Sequence, residues 1–267
     1  MTKACAIILA AGQGTRMKSK YPKALCQVLF KPMINWVTDW CLKAGIEEIC
    51  VVTGQGAQYL EPVLPKQCCT VSQPQQLGTG HAVMMARSFI GEHRSSPILV
   101  LNGDAPFVDD AILNQALEQH IEQQAQVTVI TAELGNPAGY GRIVRAQDGT
   151  VQAIVEERDA TESQRAICEV NSGAFDADFL LDGLEKLGCK NAQGEYYLTD
   201  LVGIAVSERK KVCACRSRDE KVALGANDRA GLLKLNEIAN KIEVDRLLED
   251  GVNFYCTDGV VISPDAV

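Results

Sequence analysis

Three observations predict an α/β fold with a mixed, mostly parallel sheet and a β-rich excursion. Strand-like apolar runs and helical patterns alternate through the first half of the 267 residues. That order builds a parallel sheet with helices on both faces. The runs "AIIL" and "ILVL" are continuously apolar, as strands buried on both faces must be. Beyond residue 140 the alternation stops, and Asp148-Gly149 separates two short apolar stretches, a strong hairpin signal.

Residues 4–9, 49–53, 98–101 and 127–131 read as strands. Residues 33–44, 80–90 and 110–124 carry apolar residues at helical spacing between them. "GRIVRAQDGTVQAIVEE" reads as the hairpin, and Ala174–Phe175 continues "EVNSG" as a further apolar run. A helix begins near Asp176, another runs through "YYLTDLVGIAVSE", and "KVCAC" is strand-like. Leu232, Leu235, Ile238 and Ile242 predict a closing helix over 228–249. The chain has no Gly/Ser/Pro-rich linker and no internal repeat. It therefore reads as one α/β domain over 1–250, with a tail over 251–267.

Composition narrows the function classes. The chain is 46% hydrophobic and 22% charged, ordinary values for a soluble globular protein. No apolar run approaches the roughly 20 residues of a membrane span, and the first residues do not resemble a cleavable export signal. A cytoplasmic location is expected, without a membrane partner. A net charge of −8 disfavours nucleic acid but leaves room for a small anion held by a few local cations. The eleven cysteines show no C-x-x-C spacing and read as reduced thiols, most of them packed as small apolar residues. The three histidines are scattered, which argues against zinc.

"LAAGQGTRMKSKYPKAL" (9–25) follows the first strand. In open α/β sheets, ligands bind at the carboxyl ends of strands where strand order reverses. Gly12 and Gly14 permit close backbone approach, and successive amides in such a turn form a cup for anions. Arg16 adds a planar fork and Lys23 a mobile point charge. The loop is neither a dinucleotide fingerprint nor a Walker A loop. On chemistry alone it holds phosphate or is a tight turn.

The loop resembles the L-A-A-G-x-G-T-R-M…P-K signature of sugar-nucleotide pyrophosphorylases. "QLGTGHA", "NGDAPF", "PAGYGRI", "IVEERDAT", "EVNSG", "NAQGEYYLTD" and "GANDR" follow in that family's order and cover nearly the whole chain. The resemblance implies a Rossmann-like nucleotidyltransferase fold. The members matched best join UTP to N-acetylglucosamine 1-phosphate with Mg2+, releasing pyrophosphate, in cell-envelope precursor synthesis. A related enzyme using glucose 1-phosphate or another nucleotide, or a catalytically silent sugar-nucleotide sensor, is the competing reading.

Residue by residue, the resemblance implies nucleotide contacts from Leu9, Ala10, Ala11, Gly12, Gly14, Gln73, Gly78, Thr79 and Gly103. It implies that Arg16 and Lys23 meet the phosphates as catalytic groups. Gly141, Glu156, Asn171, Tyr197 and Thr199 match sugar contacts, and Asp104 and Asn227 match metal ligands. Asn102 departs from a tyrosine that some members carry there. Plain structural roles stand beside these: Lys23 as a surface lysine, Thr79 and Asn227 as helix N-caps, Asp104 as a turn aspartate, and Tyr196 or Tyr197 as helix packing. A phosphate monoester is mostly dianionic at neutral pH, so the acceptor needs no protein base in a single in-line displacement.

The tail "DGVVISPDAV" resembles the opening of a left-handed parallel β-helix. In bifunctional relatives such a helix carries an acetyltransferase and builds a trimer. The expectation is that these 267 residues are part of a longer or truncated protein. Alone they should be monomeric, with uridylyltransferase and no acetyltransferase activity.

Overall fold

The computed structural model describes residues 3–94 and 96–266, with the backbone alone at 171–174. Strand β1 (Cys5–Leu9) leads into the glycine loop. A small ladder of β2 (Gln27–Val28) and β3 (Lys31–Pro32) follows, then α1 (Met33–Lys43), β4 (Glu48–Thr53), the single turn α2 (Ala57–Leu60) and β5 (Cys68–Ser72). Next come α3 (Thr79–Met85), α4 (Arg87–Glu92), β6 (Pro97–Asn102), α5 (Asp110–Glu122) and β7 (Val127–Glu133). The hairpin β8 (Arg142–Arg145) and β9 (Val151–Val155) precedes α6 (Glu162–Arg165) and β10 (Glu169–Asp176). The order closes with α7 (Ala177–Leu184), α8 (Asp200–Ser207), β11 (Val212–Arg216) and α9 (Arg229–Glu249).

Seven strands form one sheet in the order β11-β7-β10-β6-β1-β4-β5. Every neighbour pair is parallel except those of β10, which runs antiparallel to both β6 and β7. The expected mixed, mostly parallel sheet is present. β1 pairs with β4 on one side and β6 on the other, so the strand order reverses at β1.

The continuous apolar strands are explained by two cores. Cys5 and Ile7 face one core with Cys50, Val52, Ile98 and Val100. Ala6 and Ile8 face the other with Ile49, Val51, Leu99 and Leu101. Side chains alternate across a strand, so burial on both faces demands apolar residues at every position. Helices α1 and α5 cover one face through Ile34, Val37, Leu113 and Ala116. Helices α3, α4, α7 and α8 cover the other, joined by Ile143, Val151 and Ile154 of the hairpin. Asp109, Asp176 and Asp228 cap α5, α7 and α9 by accepting from backbone N–H groups three residues on.

Three expectations need correction, and a fourth finds no support. The helix expected over 80–90 is two helices that meet at Ala86. Ala82, Val83, Ala86, Phe89 and Ile90 all face one core, so the apolar spacing runs across the break without marking it. The helix expected through "YYLTDLVGIAVSE" starts only at Asp200, leaving Tyr196 and Tyr197 in the preceding loop. Of the eleven free cysteines, only Cys5, Cys41, Cys50 and Cys215 are buried. The β-helix opening expected in the tail finds no support: residues 251–266 contain turns and no strand among the described residues. A single coil has no neighbour to cover its apolar side, and Val261 is 57% exposed.

Candidate active site

Strand β1 ends at Leu9, and the chain turns across the carboxyl edge of the sheet. Ala10 N–H donates to Val52 O at 2.9 Å, holding the loop against β4. Gly54 sits directly under Ala11, where a Cβ would come within 2.5 Å of Ala11 O. Gly14 takes φ +58°, and a Cβ there would lie 2.7 Å from Lys23 Cβ. That missing atom lets Lys23, fixed behind Pro22 in a 3-10 turn, cross back over the loop.

The Lys23 ammonium donates to Asn227 Oδ1 at 2.9 Å and pairs with Asp104 Oδ2. Three segments meet at that nitrogen: the loop after β1, the turn after β6, and the turn before α9. Asn227 is not the cap of α9, because Asp228 fills that role through Gly231 N–H at 2.8 Å. Asp104 is not merely a turn residue, since its carboxylate faces Lys23 rather than the backbone that follows. Two hard oxygens, from Asp104 and Asn227, therefore converge on one cation. Such a donor set fits magnesium, which takes one or two protein oxygens and completes its shell from phosphates and water. No cluster of three His, Cys, Asp or Glu residues suited to a metal occurs among the described residues.

Two clefts open on either side of this point. One, of about 280 Å³, is lined by Leu9, Ala10, Ala11, Gly12, Lys23, Gln73, Gly78 and Thr79. The second, of about 340 Å³, is lined by Tyr140, Gly141, Glu156, Thr199, Gly225 and Asn227. Leu9, Thr79, Asn102 and Asp104 belong to both, so the clefts adjoin at the ends of β1 and β6.

One side of the smaller cleft is fixed by a backbone crossing. Gly78 takes φ +104°, and a Cβ there would lie 2.5 Å from Tyr196 O. Gly80 N–H donates to Tyr196 O at 2.7 Å and Tyr196 N–H to Leu77 O at 2.8 Å. Gly78 is the residue that precedes α3, and Thr79 is its first helical residue rather than its cap. The Thr79 hydroxyl accepts from Leu198 N–H at 3.0 Å, latching the loop to the helix. Gln73 is buried and donates from its amide to Gly78 O at 3.1 Å, with His81 Nδ1 at 3.0 Å.

In the larger cleft, Thr199 Oγ1 donates to Glu156 Oε1 at 2.9 Å. Burial pushes the Glu156 carboxyl above its ordinary value, the Thr199 hydrogen bond opposes this, and Asp200, Asp159 and Glu195 add to the rise. The Tyr140 side chain links the two ends of the cleft: Gly225 N–H donates to its hydroxyl at 3.3 Å.

Most of the residues expected at the site therefore come together, but not all. Arg16 lies in an exposed turn outside both linings. Gly14 acts beneath Lys23 rather than on a cleft wall. Gly103 is buried, with its N–H donating to Leu9 O at 2.9 Å. Tyr197 is 6% exposed, and its hydroxyl donates to Asp159 Oδ2 at 3.1 Å instead of facing a cleft. Asn171 belongs to β10, and its side chain lies outside the described residues. The sequence reading missed Gln76, whose amide donates to Ala11 O at 2.5 Å, and Tyr140, which directly precedes Gly141. Neither Cys5 nor Cys26 is an activated thiol. Burial raises both, against the smaller opposing effects of a Ser96 hydrogen bond at Cys5 and of Arg229 and Lys23 at Cys26.

A match to the nucleotidyl transferase family covers residues 5–221. The chain belongs to that family. It is 47% identical over 261 residues to the bifunctional protein GlmU of Fervidobacterium nodosum, covering 97% of this chain and 56% of the relative. It is 41% identical to the protein of the same name from Halalkalibacterium halodurans and 38% identical to that of Bacillus subtilis, each covering 100% of this chain and 59% of the relative. The chain thus spans between 56% and 59% of the length of these relatives. A solved structure of UDP-glucose pyrophosphorylase complexed with UDP-glucose superposes with a TM-score of 0.72 over 90% of this chain and 99% of that one. At 20% identity that likeness shows the fold. No helix among the described residues is long and apolar enough to cross a membrane.

Proposed function

We propose that the chain transfers a uridylyl group from UTP to N-acetylglucosamine 1-phosphate, giving UDP-N-acetylglucosamine and pyrophosphate. The observation that carries this reading is the meeting of the two clefts at Asp104, where the Lys23 ammonium is shared between the Asp104 carboxylate and Asn227 Oδ1. The relatives named GlmU support the N-acetylated sugar. Glucose 1-phosphate has only a fold likeness behind it.

In this reading the smaller cleft takes the nucleotide against the backbone of Leu9–Gly12 and Gly78. The larger cleft takes the sugar, whose hydroxyls donate to Glu156 in place of lost water. The acceptor phosphate is already a dianion near neutral pH, so the protein supplies position and charge rather than a base. Lys23 stabilises charge building on the departing pyrophosphate. A magnesium ion held by Asp104 and Asn227 would supply charge neutralisation between two polyanions.

The test crosses UTP, ATP, dTTP and GTP with N-acetylglucosamine 1-phosphate and glucose 1-phosphate, with and without Mg2+, and reads pyrophosphate release. The expected result is release with UTP, the N-acetylated sugar and Mg2+ together. Faster turnover of glucose 1-phosphate would overturn the sugar assignment, and no release from any pair would favour a silent sensor.

A further inference from the structure

The Lys23 ammonium does not point freely into the nucleotide cleft. It holds both oxygens assigned above to a divalent cation, Asn227 Oδ1 at 2.9 Å and Asp104 Oδ2. The contact is sheltered, with the side chains 15% and 26% exposed at Lys23 and Asp104. An ammonium and a divalent cation cannot occupy the same two oxygens, because like charges at contact distance repel.

We infer that Lys23 is the resident counter-ion of the free protein. It holds Asp104 and Asn227 together, competes with the divalent cation for them, and is released toward the nucleotide phosphates when the cation takes its place. The inference rests on the reading of Asp104 and Asn227 as metal ligands.

The geometry of the side chain suits this exchange. Its root is fixed by the close crossing over Gly14, where a Cβ would lie 2.7 Å from Lys23 Cβ. Its head is a point charge on a flexible four-carbon stem. Rotation of the distal stem is enough to move the ammonium, without moving the loop. Lys23 also lines the nucleotide cleft, so phosphates arriving there offer the displaced ammonium a new anionic partner. Cation and nucleotide each remove an obstacle to the other, and linkage makes the coupling reciprocal. The free protein is therefore a poor metal binder by construction of its own loop, and the metal is recruited together with the nucleotide.

The experiment measures Mn2+ binding to the protein by electron paramagnetic resonance, without nucleotide. Lys23→Met keeps the stem and removes the charge. It should bind Mn2+ about tenfold more tightly than the wild type, within the usual range of coupling between sites. Lys23→Arg keeps the charge and should stay at wild-type affinity. Mn2+ should also raise the thermal midpoint of Lys23→Met by more than it raises that of the wild type. Equal Mn2+ affinity in Lys23→Met and wild type would overturn the inference. Adding Asp104→Asn to Lys23→Met separates this from failure of the underlying reading. If the double variant binds Mn2+ as well as Lys23→Met does, Asp104 is not a ligand at all. Lys23→Gln repeats the comparison should the methionine variant fold poorly.

Discussion

The two walls of the active-site region are built from different material. The wall proposed for the nucleotide includes Ala10, Ala11, Gly12 and Gly78, whose small side chains leave main chain exposed, and it is fixed where Gly54 and Gly78 touch neighbouring main chain. The wall proposed for the sugar presents the polar side chains of Tyr140, Glu156 and Thr199. Its loop is held by an ion pair in which the buried Arg142 guanidinium donates to Oε2 of the half-buried Glu157 at 2.6 Å and to Tyr140 O. Gly139 N–H donates to the same Glu157 oxygen at 3.2 Å. A backbone wall recognises its ligand by shape and amide direction, and at Gly54 and Gly78, where main chain already touches main chain, it has no room for an added methyl group. A side-chain wall is set by charge and hydrogen bonding, and it should respond to pH and to isosteric change.

The largest expected effect tests the backbone wall. Gly78→Ala would place a methyl group 2.5 Å from Tyr196 O and 2.9 Å from Tyr196 N, at φ +104°. Strain of this kind costs about 1–3 kcal/mol for the dihedral alone, and main chain cannot move aside. The variant should lose about 3 kcal/mol or more of stability and bind UTP poorly, read by denaturant unfolding and calorimetry. Gly139→Ala is the matched control on the sugar side: φ is +86°, but nothing lies within 4 Å of the new methyl. It should cost about 1–2 kcal/mol from the left-handed backbone and leave UTP binding intact. Equal losses in the two variants would erase the distinction between the walls.

The next effect tests the side-chain wall. Burial raises the folded-state pKa of Glu156 above its ordinary 4.5. In the window between the two values the folded state binds more protons than the unfolded state, so stability falls as pH rises through it. The contribution is fully present below 4.5 and is lost above the folded pKa. Glu156→Gln removes the buried charge. It should raise the thermal midpoint at pH 8 relative to wild type and flatten the slope above pH 4.5. If the sugar binds as proposed, the same change takes a charged acceptor from its hydroxyls, worth about 1.5–3 kcal/mol. KM for the sugar phosphate should rise about tenfold or more, with KM for UTP unchanged. A stabilised variant with unaltered sugar KM would make Glu156 a structural carboxylate.

The same contrast explains what the sequence made legible. The sheet was readable because burial on both faces forces strands such as "CAIIL" and "PILVLN" to be apolar throughout. Strand β5 was not, because "CCTVS" at the edge leaves several side chains exposed and carries no such constraint. The wall proposed for the nucleotide was readable because glycines that permit close backbone approach stand out as residues. Asp104, Lys23 and Asn227 were assigned separately by motif, but their convergence on one nitrogen was not, since the contact spans 204 positions. Tyr197 was assigned to the sugar because it shares a motif with Thr199. Adjacent residues in a loop point in different directions, and the sequence does not record which of them faces the cleft.

Tyr197 therefore gives the smallest and sharpest test. Its hydroxyl is committed to Asp159 Oδ2 at 3.1 Å, and Asp159 Oδ1 accepts from Ala192 N–H at 2.8 Å. Together these bonds tie the 191–197 loop to the turn after β9. Burial comes first in raising the Tyr197 phenol above its ordinary range, and a Gln193 hydrogen bond works against it. The phenol therefore stays protonated and donating throughout the working pH range. Tyr197→Phe removes one buried hydrogen bond without changing the ring, a loss of about 1 kcal/mol. The thermal midpoint should fall by a few degrees, about 2–4 °C for a domain of this size, while KM and kcat for the sugar phosphate stay near wild type. A rise in sugar KM comparable to that of Glu156→Gln would place the phenol on the sugar wall. Tyr197 would then have to leave Asp159 when substrate binds, and the loop it anchors would be a moving part of the site.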